Sequence, residues 1–304
     1  MLARLQKITT ITALLGALLW GWVCWRAGHP GWAVVGAALI VGGYALALAA
    51  EFALLRLAHG DDPTPRATPA QLLRAWWSEV RAAPRVFCWR QPFRSRRWPD
   101  HLPTTAKGRR GVLLVHGFVC NRGIWNPWLR RLHVQDVPYI AVNMEPLWGS
   151  IDDYVQILEQ AVQRLERSTG VPPVIVAHSM GGLAVRRWLA ESGAAGDARV
   201  HHVVTIATPH RGTWLARWAL SLNMREMRID SPWQQLLGTR EPAQRPGKFT
   251  CFYGHCDNIV FPPATATLRG ADNRHLTGVA HVAMVDHPAP WAEVQRLLAE
   301  PLRR

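Results

Sequence analysis

Three residues of this chain, Ser179, Asp257 and His281, have the types that nucleophilic acyl chemistry needs. Ser179 follows Val174 to Ala177, four residues suited to a buried strand, with His178 between them and it. It precedes Met180-Gly181-Gly182, and a helix-compatible segment runs from Leu183 to Glu191. A serine at such a strand-turn-helix corner is held in a strained backbone conformation and projects its hydroxyl above the sheet edge. The hydroxyl attacks only if a base takes its proton, a third group orients that base, and donors receive the oxyanion. Small neighbours let strand and helix approach closely. The corner departs from G-x-S-x-G at its first position, where Ala177 adds one methyl group and leaves the turn feasible. The plainer reading, a strand-to-helix turn rich in small residues, stands until the other groups are found.

His281 and Asp257 supply them. Asp257 follows the strand-like Lys248 to Gly254, and His281 follows the strand-like Arg274 to Val279, so both fall in loops at strand C-terminal ends. Of the thirteen histidines, His275 lies inside the strand pattern and His287 precedes Pro288, which makes both poorer bases than His281. Asp272 and Asp286 compete with Asp257, whose place directly after a buried strand favours it over a surface turn aspartate. The oxyanion donors are expected at the backbone N–H of Met180, which opens a helix, and of Phe118, in a loop that Gly117 allows to bend toward the site. His116 is read as shaping that loop, without a catalytic part.

The elements that position these loops alternate strand with helix. Gly111–Val115 reads as a buried strand, Ile124–Leu132 as a helix and Pro138–Asn143 as a second strand. Ser150, with Asp153 three residues on, caps a helix whose Tyr154, Ile157, Leu158, Ala161, Val162 and Leu165 keep helical period. Strands at 173–177, 200–207 and 248–254 follow, and Pro290–Ala299 closes the chain as a helix with proline at its start. Such alternation predicts a mainly parallel sheet covered on both faces. Between 214 and 237, Trp214, Leu215, Trp218, Ala219 and Leu222 make one apolar stripe, equally suited to core and to a cap or lid over an acyl pocket.

The first 110 residues have a different character. No charged residue occurs from Ile8 to Trp25 or from Trp32 to Ala50, and at about 1.5 Å per residue each run approaches the about 30 Å of a bilayer core. Residues 1–59 therefore read as a transmembrane helical hairpin, with Trp20, Trp22, Trp25 and Trp32 on the turn side at headgroup level. A cleaved signal peptide is disfavoured, because the segment would be about twice the usual length and has a polar break. Arg4, Lys7, Arg56, Arg66 and Arg74 outnumber Arg26 in the turn, which directs both ends, and with them the catalytic domain, to the cytoplasmic face of a bacterial inner membrane. Glu51 is expected at the headgroups.

Residues 60–110 form a Pro-rich linker, an amphipathic helix capped by Thr68 from Pro69 to about Arg81, and the basic aromatic stretch Arg85–Trp98. Twelve Lys/Arg against four Asp/Glu lie between 56 and 110, a large share of the formal net charge of +14. Interleaved Arg and Trp suit anionic lipid, or packing on the catalytic domain as a strand, better than nucleic acid, which is not expected as a partner. Five cysteines give no disulfide framework, and Cys251, His255, Cys256 and Asp257 lack a second pair at finger spacing, so no metal or other cofactor is expected.

From Gly111 onward, residues 111–304, the chain resembles serine hydrolases of the α/β-hydrolase fold, and within them bacterial triacylglycerol lipases and the GPI inositol-deacylase-like group. Leu114-Val-His-Gly-Phe118 resembles their oxyanion loop, Ala177-His-Ser-Met-Gly-Gly182 their elbow, and Thr205-Ile-Ala-Thr-Pro-His-Arg-Gly-Thr213 the loop after the next strand. The order Ser179, Asp257, His281 is the one that fold requires. The resemblance implies metal-free hydrolysis of carboxylic esters, with a lipid or small acyl-ester substrate and an acyl-enzyme on Ser179. Acyl transfer or thioester hydrolysis uses the same groups, and a non-catalytic membrane scaffold would keep the fold alone. Residues 1–110 lie outside the resemblance.

Overall fold

Val112, Leu113, Leu114 and Val115 are all closed to solvent, as a strand covered on both faces must be. They form β1 (Val112–Val115) of a six-stranded sheet in a computed structural model that describes residues 1–302. The others are β2 (Tyr139–Ala141), β3 (Val174–His178), β4 (His202–Ile206), β5 (Phe249–Tyr253) and β6 (Asp272–His275). Every pairing is parallel and the spatial order is β2-β1-β3-β4-β5-β6. After β2 the chain crosses to the other side of β1, so the loops leaving β1 and β3 diverge between neighbouring strands. Parallel sheets bind ligands at such a switch point, beyond the carboxyl ends of the strands.

In chain order the helices are α1 (Leu2–Arg26), α2 (Pro30–Gly42), α3 (Tyr44–Leu57), α4 (Pro69–Ala83), α5 (Gln91–Arg94), α6 (Asn126–Val134), α7 (Val155–Thr169), α8 (Met180–Ala198), α9 (Leu222–Glu226), α10 (Pro232–Thr239) and α11 (Pro288–Ala299). Side chains alternate along each strand, so the sheet feeds two cores. Leu113, Val115, Ile175, Ala177 and Val203 pack against Leu158, Val162 and Leu165 of α7 and Leu183 and Trp188 of α8. Val112, Leu114, Val174, Val176 and Val204 face Trp128, Leu129 and Leu132 of α6 and Val294 and Leu297 of α11. The Ser150–Asp153 capping box is present, although the first turn, Ile151–Tyr154, is a 3-10 turn.

The N-terminal segment departs from expectation in two places. α1, at 25 residues and about 37 Å, is long and apolar enough to cross a membrane. The second apolar run, by contrast, is two helices meeting at 55° about Gly43. Two adjacent glycines, Gly42 and Gly43, give that point neither side-chain packing nor helix propensity, which is where helices bend. The basic aromatic stretch is not a strand. α4, with its Thr68–Gln71 capping box, runs into a π-helical stretch, Pro84–Arg90, and then into α5. Pro84 has no N–H to continue the α ladder, and the wider turn follows from it. Val86 and Gln91 are buried there, while Trp89 and Phe93 remain exposed under the cations of Arg94 and Lys7.

Because Leu114 is closed to solvent beneath α6, Leu114→Ala should lower stability by about 2–5 kcal/mol. Denaturant unfolding of the detergent-solubilised chain measures this, and a loss well below that range would mean the second core is loosely packed.

Candidate active site

The turn between β3 and α8 is strained and crowded. Ser179 sits at φ 54°, ψ −131°, a region ordinary residues avoid, and its N–H donates to Ile206 O at 2.8 Å. The small residues around it have a steric cause. A Cβ on Gly181 would lie 2.5 Å from His116 O and 2.8 Å from Val115 O, and one on Gly117 would lie 2.7 Å from the Ser179 Cβ. The loops leaving β1 and β3 are thus in contact at the switch point.

Within the β1 loop, His116 is buried and works as a brace. Its Nδ1–H donates to Gly117 O at 2.8 Å while its Nε2 accepts from Met144 N at 3.0 Å, and burial pushes its pKa down to about 4. Phe118 stands beyond it with its ring against Trp148, and Met180 opens α8. Neither the Phe118 nor the Met180 N–H has a hydrogen-bond partner among the described residues.

Asp257 and His281 meet at the same rim. His281 Nδ1–H is shared between Asp257 Oδ1 at 2.9 Å and Oδ2 at 3.0 Å, and the aspartate also accepts the N–H groups of Ile259 at 3.0 Å and Val260 at 2.8 Å. Both side chains are buried. Desolvation pulls the imidazole pKa down, but the charge and hydrogen bond of Asp257 outweigh it, and the net displacement is upward. His178, whose pKa burial drives far below its usual value, stacks on His281 with ring centroids 4.7 Å apart and donates from Nε2 to His281 O at 3.3 Å. Asp257 and His281 therefore meet, and His178, the residue before Ser179, touches His281. The Ser179 hydroxyl makes no hydrogen bond among the described residues, and such contacts commonly tighten only when substrate is bound.

The competing groups are occupied elsewhere. Asp272 pairs with Arg274, Asp286 with Arg90, and His287 accepts the Ala289 N–H as the cap of α11. His275 packs against Tyr253 and His255, away from this contact. Among the described residues no three His, Cys, Asp or Glu side chains converge as a metal site, and burial pushes the Cys251 and Cys256 thiols up to about 11.

Three further residues reach the site that sequence reasoning missed or misassigned. Glu51 does not extend to headgroups: its Oε2 accepts from Asn258 Nδ2 at 2.6 Å, and Asn258 Oδ1 in turn accepts the His281 N–H at 3.3 Å. Glu79 accepts the N–H groups of Val282 at 2.9 Å and Ala283 at 3.1 Å. A carboxylate three and four residues beyond Trp76 and Ala75, on the face of α4 that packs inward, was the legible sign of a buried acid.

The apolar stripe after β4 divides. Trp214 and Leu215 pack with Phe261 into a third cluster, whereas Trp218, Leu220 and Leu222 are exposed. Phe118, Val119, Trp148, Leu220, Leu222 and Met224 line an open apolar cavity of about 670 Å³ beside the β1 loop. The segment is tied down by Glu226, which accepts from Ser150 Oγ and Ile151 N, and by Thr213 Oγ1, which donates to Ile259 O.

Residues 148–223 match the family model described as lecithin:cholesterol acyltransferase, a stretch that includes Ser179 but neither Asp257 nor His281. No curated protein sequence matches the chain. Among solved structures, the mature form of a Bacillus licheniformis lipase superposes with TM-score 0.55 at 16% identity, over 63% of this chain and 92% of that one. An Aspergillus fumigatus lipase B gives 0.53 at 18%, over 62% and 52%. A Listeria innocua protein gives 0.50 at 14%, over 64% and 96%. The chain has the α/β-hydrolase fold, preceded by an apolar helix at Leu2–Arg26 that fits a transmembrane span.

The crowding at Gly181 is with backbone carbonyls, which cannot swing aside. Gly181→Ala should therefore cost about 1–3 kcal/mol, measurable by denaturant unfolding, and a neutral result would mean that β1 and α8 can separate without strain.

Proposed function

We propose that this chain is a membrane-anchored serine hydrolase that cleaves carboxylic esters through an acyl-enzyme on Ser179. The observation that carries the reading is the buried His281–Asp257 hydrogen bond at the rim where the strained Ser179 turn emerges. His281 Nε2 takes the hydroxyl proton as Ser179 Oγ bonds to the ester carbonyl carbon. Asp257 keeps the ring in the tautomer that offers Nε2 and stabilises the imidazolium that forms. The carbonyl oxygen, now an anion, is received by the free N–H groups of Phe118 and Met180. His281 then gives its proton to the departing alcohol, and a water deprotonated by the same nitrogen releases the acid.

Lipid esters are favoured by the surroundings. The apolar cavity beside Phe118 suits an acyl chain, and the lipase names of the structural neighbours accord with it. α1 is read as an anchor, with the bent pair α2–α3 as its return, in a bacterial inner membrane with the catalytic domain on the cytoplasmic side. The boundaries follow: a hairpin over 1–59, a connecting segment over 60–110 and the hydrolase domain over 111–304. A second reading, acyl transfer, is favoured by the acyltransferase family model, and an alcohol would then replace water in the second step.

A fluorophosphonate probe should label the wild type and not Ser179→Ala, and Ser179→Ala should fold yet lose ester cleavage. Labelling of the alanine variant would move the nucleophile elsewhere, and an inert wild type would leave a fold kept for binding. Asp257→Asn should lower kcat by up to about 10⁴. His281 must be neutral to act, so activity falls as pH drops through its raised pKa, and Asp257→Asn should move that acid limb to lower pH. An unmoved limb would assign it to another group.

A further inference from the structure

We infer that Glu79 of α4 and Glu51 of α3 are positioning residues for His281, so that the catalytic base is completed by the segments that precede the hydrolase domain. This rests on the reading of Ser179 and His281 given above. The loop carrying His281 is held from two sides. On one, both oxygens of Glu79 accept consecutive backbone N–H groups, Val282 at 2.9 Å and Ala283 at 3.1 Å, the two residues directly after the histidine. On the other, Glu51 fixes Asn258 at 2.6 Å, and the Asn258 amide oxygen receives the N–H of His281 itself.

Two features make this more than packing. Glu79 is 1% exposed, and no Lys, Arg or His side chain lies within ion-pair distance of it among the described residues. A carboxylate removed from water with only two amides as partners is costly, and an apolar residue there would spare that cost. Its return comes when charge appears nearby. As His281 takes the Ser179 proton, the cation forms in a water-poor setting facing Asp257, Glu79 and Glu51, and attraction to them is larger in the transition state than in the resting enzyme. Of the other titratable groups nearby, His178 against the ring is kept neutral by burial, and Cys256, coupled to Asp257, has its thiol pushed up to about 11. Burial also pushes the Glu79 carboxyl up to about 7, so its charge is present above neutrality and fades below it.

The test uses the full-length protein in detergent, 4-nitrophenyl butyrate and a fluorophosphonate probe. Glu79→Gln removes the charge and turns one acceptor into a donor facing an N–H. It should lower kcat about 10–100-fold, the scale on which outer hydrogen-bond partners act, with KM little changed. Its acid limb should move to lower pH. Glu79→Asp, which retains the charge, should recover part of kcat and bring the limb back. Glu51→Gln keeps an acceptor for Asn258 and loses only charge, so its limb should shift to lower pH and its kcat should fall, by less than in Glu79→Gln; that readout remains if Glu79→Gln does not fold. Wild-type limb and kcat in both glutamine variants, with the probe still labelling Ser179, would overturn this inference alone. A wild type inert to both probe and ester would overturn the hydrolase reading beneath it.

Discussion

Burying an imidazole against a carboxylate is the constraint around which this edge of the molecule is built. A charge pair withdrawn from water is unfavourable unless every lone pair and proton is answered. Asp257 meets that condition with His281 Nδ1 and the N–H groups of Ile259 and Val260, so the loop after β5 must curl beneath its own carboxylate. Thr213 and Trp214 then close onto that loop through Ile259 O and Phe261 O, which ties the segment after β4 to the acid. The His281 loop is in turn supported from below by the His178 ring and its Nε2–H. Removing any of these contacts would uncover a polar group with no water to replace the partner, which is why distant loops are held to a common geometry.

The second constraint is steric. β1 and β3 are neighbours, yet their outgoing loops turn apart, and the space between them is filled by backbone from both. Gly117 against Ser179 and Gly181 against His116 O leave no room for side chains, so the serine is pressed into its positive φ by the walls of the crevice as well as by its own turn. The same closeness brings the β1 loop, with the unpaired N–H of Phe118, against the turn that carries Ser179 and Met180. Strain and the proposed oxyanion donors therefore share one geometric cause.

Much of this was legible in the sequence, because it is written in local pattern. Val112–Val115 and Val174–Ala177 are short runs closed by glycine or serine turns, and α7 has an unbroken helical period. That the sheet is parallel followed from the alternation of strand with helix, and the meeting of Asp257 with His281 from loops that leave one edge. What escaped depends on contacts between segments far apart in the chain. Nothing local to Glu51 distinguishes a headgroup-facing acid from one that reaches Asn258, 207 residues on. Nor does Arg85–Trp98 announce a π-helical stretch, since that arises from Pro84 extending a helix it cannot bond into. The break at Gly43 was visible as a glycine pair but outweighed by the length of the apolar run around it.

The way the N-terminal helices meet the hydrolase domain argues for a role beyond tethering. The start of α1 lies against the β1 loop, where Gln6 bonds Gln91 and Val119 O, and the amino terminus pairs with Glu145. The end of α3 lies against the acid loop, with Phe52 and Leu55 packed among Cys256, Phe261 and Ala280. A simple tether would leave by a solvated linker and touch the domain nowhere. Here both ends of the apolar segment are seated at the rim of the candidate site, one beside the proposed oxyanion donors and the other beside the proposed base. If those helices lie in a bilayer, the rim is fixed at its surface and its exposed Trp218, Leu220 and Leu222 stand near the same boundary. The orientation of the proposed site toward lipid would then be set by buried hydrogen bonds, and water-soluble diffusion of the ester would not be needed.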